Sequence, residues 1–325
     1  MTVMNGRQGK TGAKRLRSDV SSHAGSKPGK SRGDNSNVRD IRQTLRYPAA
    51  MMPFTPYTFG TMSLGRNPAD VAQDLVVARR AMDAGVWFHS SPTYNQGFTF
   101  MVLRLAFDEN RNRTPRMVIK VRDGSVPLMR FEVEDSCRRL GLDAIDVAQL
   151  VSLDPRPGNL VDQLRGGGGP LADELASLRA RGLIRQAVLY LTPENSDAAV
   201  EATKSGLIEG VILYWNACQR DCSDTAWATI RGKGIPTLAL RTLGGGPSDQ
   251  SSGAKSEALA ELIKAAGCRN ATEFNLRLAA GEPAIRTTIG GTASLAHLED
   301  YLQAAANAAP LSAEILQRVG QLQVR

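Results

Sequence analysis

The sequence is poor in the residues from which metal centres, disulfide scaffolds and membrane spans are made. Its 325 residues include four cysteines and three histidines. Cys137, Cys218, Cys222 and Cys268 are scattered, with no CxxC spacing and no histidine beside them, so they read as reduced cytosolic thiols. His23, His89 and His297 lie far apart, without carboxylate or cysteine neighbours at ligand spacing, and no metal site is expected. No apolar run approaches the roughly 18–20 residues a membrane span needs, and no signal-peptide core sits near the N-terminus. These absences predict a cytoplasmic protein. A GxGxxG fingerprint is also missing, which argues against an open dinucleotide-binding sheet.

Acidic residues are scarce at one end. Residues 1–46 hold eleven Lys/Arg against three Asp, an excess of eight that equals the net charge of the whole chain. The remainder is therefore neutral, and the basic character does not point to a nucleic-acid-binding fold. The same stretch is rich in Gly, Ser, Lys and Arg and cannot bury enough surface to offset its chain entropy. Residues 1–50 are read as a disordered basic tail and residues 51–325 as the folded unit. Three uses of the tail compete: a contact arm for anionic surfaces, a targeting segment, or an upstream extension with the working start at Met51 or Met52.

What is present is regular. Strand-like runs fall near Tyr57–Met62, Val86–His89, Met117–Val121, Asp146–Val151, Gln186–Leu191, Gly210–Tyr214, Thr237–Leu240 and Thr287–Ile289. Helical spacing marks Ala69–Ala84, Phe131–Leu140, Leu171–Arg181, Asn195–Ser205, Asp224–Lys233, Ser256–Ala266, Thr272–Ala280 and Leu295–Ala306. Eight strands alternating with helices predict an α/β fold of the (β/α)₈ TIM barrel type. A doubly wound open sheet is the alternative. The run Gly166–Gly169 lacks the preceding strand and following Lys-Ser/Thr of a phosphate loop and reads as a mobile loop above strand four. Asp83–Asn95 stands out, because a short apolar strand runs straight into the polar cluster His89, Ser90, Ser91, Thr93 and Tyr94. In α/β folds, sites are built at that end of a strand.

From Tyr57 onward the chain resembles the aldo/keto reductases. The likeness rests on FGTMSLG (Phe59–Gly65), DAGVWFHSSPTY (Asp83–Tyr94), MVIKV (Met117–Val121), RRLGLDAIDVAQL (Arg138–Leu150), LRARGLIRQAVL (Leu178–Leu189), RGKGIPTLALRTLGGG (Arg231–Gly246) and IGGTASLAHLEDYL (Ile289–Leu302). These follow one another in the family's order. The resemblance implies hydride transfer from NADPH to a small aldehyde or ketone, with Tyr94 as general acid and Lys120 lowering its pKa. A phenol near pKa 10 is a poor proton donor at neutral pH, and a nearby ammonium stabilises the phenolate. Two family positions differ: His89 stands where the family has aspartate, and Val151, followed by Ser152, where it has histidine. His89 is expected to be neutral beside Lys120 and to act as a substitute hydrogen-bonding or acid–base group.

At the cofactor positions the resemblance places Tyr190 and Leu191, Ile212 and Leu240 where the family carries side chains that hold the nicotinamide. Asp300 and Tyr301 fall where it recognises adenine. The expected cofactor-binding set is Arg241, Leu243, Gly244, Gly291, Thr292, Ser294 and His297. Loop amides and a helix N-terminus can hold phosphate without specific side chains, with Arg241 as a replacement charge. If the barrel holds, Met62, Trp87, Thr93, Phe98, Tyr190 and Trp215 line the pocket and suit an apolar or aromatic ligand. Three functions fit: a reductase with an altered set of catalytic residues, whose competence those differences put in question; a non-catalytic sensor or subunit with a protein partner; and a non-redox lyase or isomerase in which Lys120 forms a Schiff base.

Overall fold

The computed structural model describes residues 51–152, 157–242 and 253–323. Nine strands are present among these residues: β1 (Tyr57–Gly60), β2 (Trp87–Ser90), β3 (Met117–Arg122), β4 (Ile145–Val151), β5 (Ile184–Tyr190), β6 (Gly210–Asn216), β7 (Gln219–Arg220), β8 (Thr237–Leu240) and β9 (Ile285–Gly290). All but β7 run parallel, in the order β5-β4-β3-β2-β1-β9-β8-β6, and β5 pairs with β6 to close the ring. This is the eight-stranded barrel the alternation predicts. The open sheet is excluded by closure. β7 is a two-residue antiparallel return on the end of β6.

Alternation sorts each strand into two environments. Trp87, Val118, Val147, Val188, Ile212, Leu238 and Ile289 fill the barrel interior as one cluster. Phe59, Phe88, Met117, Ile119, Leu150 and Leu213 face outward and bury against the helices. The floor of the barrel, at the N-terminal ends of the strands, is plugged by the segment before β1. The Met52 amide donates to Gln186 Oε1 at 2.9 Å, and the Phe54 ring lies 4.0 Å from that of Trp87. The interior is therefore filled from below, and the remaining opening is at the C-terminal ends.

Helices begin where side-chain caps allow. Ser125 accepts from the Leu128 amide and starts the helix Val126–Leu140. The spacing predicts that helix from Phe131, and the structure begins it five residues earlier, with Pro127 inside the first turn. There a proline costs no hydrogen bond. Three helices were not anticipated: Phe98–Glu109, Leu160–Arg165 and Ala313–Gln323. The glycine run does not form an isolated loop over β4. It joins Leu160–Arg165 to the helix Pro170–Ala180, and Gln163 Oε1 accepts from the Leu171 amide at 2.7 Å.

All four cysteines are free thiols. Burial pushes the Cys137 thiol up to about 11, which keeps it protonated and inert. Among the described residues no helix is long and apolar enough to cross a membrane, and no group of three His, Cys, Asp or Glu gathers as for a metal. The tail, residues 1–50, lies outside the described residues.

Candidate active site

Odd and even positions on four strands decide what reaches the open end. On β2, Trp87 and His89 point inward; on β3, Val118 and Lys120; on β4, Val147 and Gln149; on β6, Ile212 and Tyr214. The lower member of each pair fills the core, and the upper one meets the mouth.

Tyr94 arrives from the loop after β2, and that loop is pinned from two sides. Its amide donates to the Ser91 carbonyl at 3.2 Å. The next residue, Asn95, sits in left-handed backbone (φ 48°) and turns its amide nitrogen onto the carbonyls of Met62 and Leu64, at 3.0 and 2.7 Å. Asparagine tolerates that conformation better than most residues. Gln96 follows with φ 56°, a second uncommon backbone, so the turn is held rather than relaxed. From the other side, Arg139 donates to the carbonyls of Pro92 (3.3 Å) and Gly97 (2.7 Å) and lays its guanidinium over the Phe100 ring. None of these contacts uses the Tyr94 hydroxyl.

The loop brings the Tyr94 ring to Lys120. Lys120 Nζ lies 4.9 Å from the ring centroid, a cation–π contact. No hydrogen bond joins Lys120 to the phenol oxygen. Burial, with the Tyr214 phenol nearby, pushes the Tyr94 hydroxyl well above its ordinary range, so it stays protonated across neutral pH. Lys120 moves the other way. Burial, then the Arg241 charge, lower its amine to about 8.

His89 is buried at the third corner. Its Nε2 lies 2.7 Å from Gln149 Oε1, and its ring centroid is 6.4 Å from that of Tyr94. With Nε2 protonated, the imidazole donates to Gln149 and is fixed in one tautomer. Burial, then the Lys120 charge, lower its pKa to about 3, and the Gln149 bond only partly opposes this. His89 is thus neutral, as the sequence reading expected. A group whose pKa is depressed on folding takes up protons preferentially in the unfolded state. Stability therefore falls with pH between 6.5 and 3. Lowering pH from 7 to 5 is expected to remove roughly 2 kcal/mol through this residue alone. Urea unfolding at the two pH values, with His89→Gln as the non-titrating reference, measures it; equal losses in both proteins would remove His89 as the cause.

The other wall is aromatic and cationic. The Arg241 guanidinium lies 4.0 Å over the Tyr214 ring, and the Tyr190 and Tyr214 rings are 5.8 Å apart, edge to face. Arg241 has φ 56°, and its carbonyl accepts from Asn216 Nδ2 at 3.2 Å. Tyr214, Gln149 and Asn216 were not singled out from the sequence. Carrying the inward alternation two residues past Ile212, and one step up from Val147, would have found the first two.

The expected cofactor residues divide. Leu243 and Gly244 lie outside the described residues. Thr292 is buried, and its hydroxyl accepts from the Ser294 amide at 2.9 Å. Ser294 caps the helix Leu295–Ala306 by accepting from the His297 amide at 3.4 Å. The amides of Leu295 and Ala296 precede the first bond inside that helix and remain available. His297 is exposed, its ring 6.5 Å from Tyr301. Gly291 has a packing reason of its own: a Cβ there would meet the Gly60 carbonyl oxygen at 2.1 Å.

Three expected pocket residues are elsewhere. Trp87 packs on Phe54 and under Arg116 at the floor. Trp215 faces outward, 6.2 Å from Trp227. Phe98 is half-buried and packs against the outer core, whereas Tyr190 belongs to the mouth.

A model of the aldo/keto reductase family matches residues 57–323. Solved structures share the fold. The holo form of aldo-keto reductase AKR11C1 from Bacillus halodurans superposes with a TM-score of 0.67 at 20% identity, over 84% of this chain and 96% of that one. An aldo-keto reductase from Klebsiella pneumoniae in complex with NADPH gives 0.63 at 21% identity, over 84% and 94%. No curated protein sequence matches this chain.

Proposed function

Because this chain belongs to the aldo/keto reductase family, we propose that it reduces a small aldehyde or ketone with NADPH, with Tyr94 delivering the proton. The observation that carries the reading is the meeting of the Tyr94 ring and Lys120 Nζ, 4.9 Å apart, at the open end of a closed parallel barrel. The similar Klebsiella protein is described in complex with NADPH.

The residues present suit a dinucleotide in part. Arg241 offers a charge to phosphate, and the free amides of Leu295 and Ala296 at a capped helix start offer donors. The chemistry the dinucleotide supplies when bound is the hydride. The chain's own part is to hold the carbonyl oxygen near the Tyr94 hydroxyl, which hydrogen-bonds it and transfers its proton as charge develops. Lys120, as ammonium, favours the phenolate that remains. Neutral His89 orients polar groups without adding charge.

Such a site is slow. A phenol held above its ordinary pKa gives little driving force for proton transfer, and Lys120 has no carboxylate to keep it charged. Restoring that anion with His89→Asp is expected to raise kcat/KM by about tenfold, one pKa unit of better-matched proton transfer. It also moves the alkaline limb of the pH–rate profile upward. A rate profile of the variant identical to the parent would remove Lys120 from the proton-transfer step.

The test of the reading is NADPH oxidation with a panel of aliphatic and aromatic aldehydes, beside a titration of NADPH fluorescence. Turnover with saturable NADPH binding supports it. A second reading, a non-catalytic barrel with a protein partner, is favoured by the missing hydrogen bond between Lys120 and Tyr94. Binding without turnover would select it, and no fluorescence change up to millimolar NADPH would end the cofactor assignment.

A further inference from the structure

Lys120 has an unusual set of neighbours for a buried amine. In the described structure the groups that act on it are the face of the Tyr94 ring, neutral His89 and the Arg241 cation; none is an anion. A lysine held by a carboxylate is locked as ammonium. Here the position that would supply the carboxylate holds an imidazole, and that imidazole is already committed to Gln149. The side chain is nonetheless not sealed. It points inward from β3 toward the mouth and is only half-buried.

A desolvated lysine beside a second cation is the usual physical route to a nucleophilic amine. We infer that Lys120 is an imine-forming nucleophile toward small aldehydes and ketones, an activity independent of hydride transfer. The nitrogen lone pair adds to the carbonyl carbon and the C=O π pair becomes a hydroxyl on a carbinolamine. That hydroxyl, protonated, leaves as water while nitrogen forms the second bond to carbon. Overall an aldehyde and Lys–NH₃⁺ give a protonated imine and one water, with atoms and charge conserved. No oxidant or reductant is consumed. Protons pass through solvent at the open mouth, and the phenols of Tyr94 and Tyr214 stay neutral, so the new C=N⁺ keeps the cation where the ammonium stood. The substrate class is a small aldehyde or ketone, because tyrosine rings crowd the opening.

This inference does not rest on the reductase reading, and its test omits the dinucleotide. The full chain is incubated at pH 7 with propanal and sodium cyanoborohydride, which reduces imines to stable secondary amines, and alkylation is followed site by site by peptide mass spectrometry. Lys233 is the internal standard, being exposed at the end of its helix. An amine titrating near 8 has far more free base at pH 7 than an ordinary lysine. Allowing for its lower intrinsic nucleophilicity, Lys120 is expected to be alkylated at least roughly tenfold faster than Lys233. Lys120→Arg keeps the charge and removes the amine, so the fast phase disappears while Lys233 labels as before. Alkylation of Lys120 no faster than Lys233, or none, overturns the inference, and the wild-type ratio decides even if the variant does not fold. NADPH oxidation measured on the same preparation reports separately on the reductase reading.

Discussion

Tyr94→Phe is expected to lower kcat for NADPH-dependent carbonyl reduction by roughly 10²–10⁴-fold, the usual worth of a general acid. The effect should be confined to chemistry. The loop that carries Tyr94 is held by Asn95 on the Met62 and Leu64 carbonyls and by Arg139 on those of Pro92 and Gly97. The ring also keeps its place beside Lys120 through its face. Phenylalanine preserves each of these contacts, so melting temperature and NADPH affinity should stay at parental values while the rate collapses. The parent should lose activity as pH rises through about 8, where Lys120 gives up its charge. Steady-state kinetics across pH with both proteins, beside a thermal melt, makes the measurement. A variant that turns over at the parental rate would show that the proton comes from another group.

The second large effect concerns stability, on the far face of the barrel. Arg179 and Glu209 form a buried ion pair, their side chains 2% and 7% exposed, with Nη2 to Oε1 at 2.6 Å. Arg179 also donates to the Leu207 carbonyl at 2.7 Å, and Glu209 accepts from the Ala187 amide at 2.8 Å. The pair thus ties the helix Pro170–Ala180 to the start of β6 and to the middle of β5. Glu209→Ala strands a buried guanidinium and is expected to cost about 3–5 kcal/mol. For a domain of this size that is a fall in Tm on the order of 10 °C. Replacing both residues by apolar side chains of similar volume should cost much less, because no charge is then left unpaired. Activity per folded molecule should not change, since the pair lies at the N-terminal ends of the strands and Tyr94 at the C-terminal ends. Chemical denaturation of the two variants gives the comparison; equal losses would mean that packing rather than the charges holds that corner.

Much of the architecture was written in local pattern. β8 and the helices Asp224–Lys233 and Leu295–Ala306 fall where composition and spacing put them. The other seven barrel strands shift by one or two residues at their ends. The helix Phe98–Glu109 was lost for a physical reason. It follows three residues with positive φ and is apolar on several faces, so neither a cap nor an amphipathic stripe announces it. At the site, Tyr94, Lys120 and His89 do converge, and the neutrality of His89 follows from its burial and from the charge beside it. Trp87 and Trp215 show what sequence does not hold. Alternation tells which side a residue takes, but the height at which an inward residue sits depends on the stagger between strands, and that is a property of the closed ring. Trp87 is inward but at the floor, and Trp215 falls one residue out of phase with Tyr214. Gln149 and Tyr214, both polar, inward and high, are the residues this stagger promoted.

The seam between β1 and β9 carries a consequence for how the molecule is made. Tyr57 pairs with Thr288 and Phe59 with Gly290, and the main chain at Gly291 presses on Gly60 too closely for any side chain. The first stave of the ring therefore has no neighbour on that flank until β9 has left the ribosome. Until then its edge is an open template, and contacts this distant in sequence form slowly. A bulkier residue at 291 would hold β1 and β9 apart and keep the ring from closing.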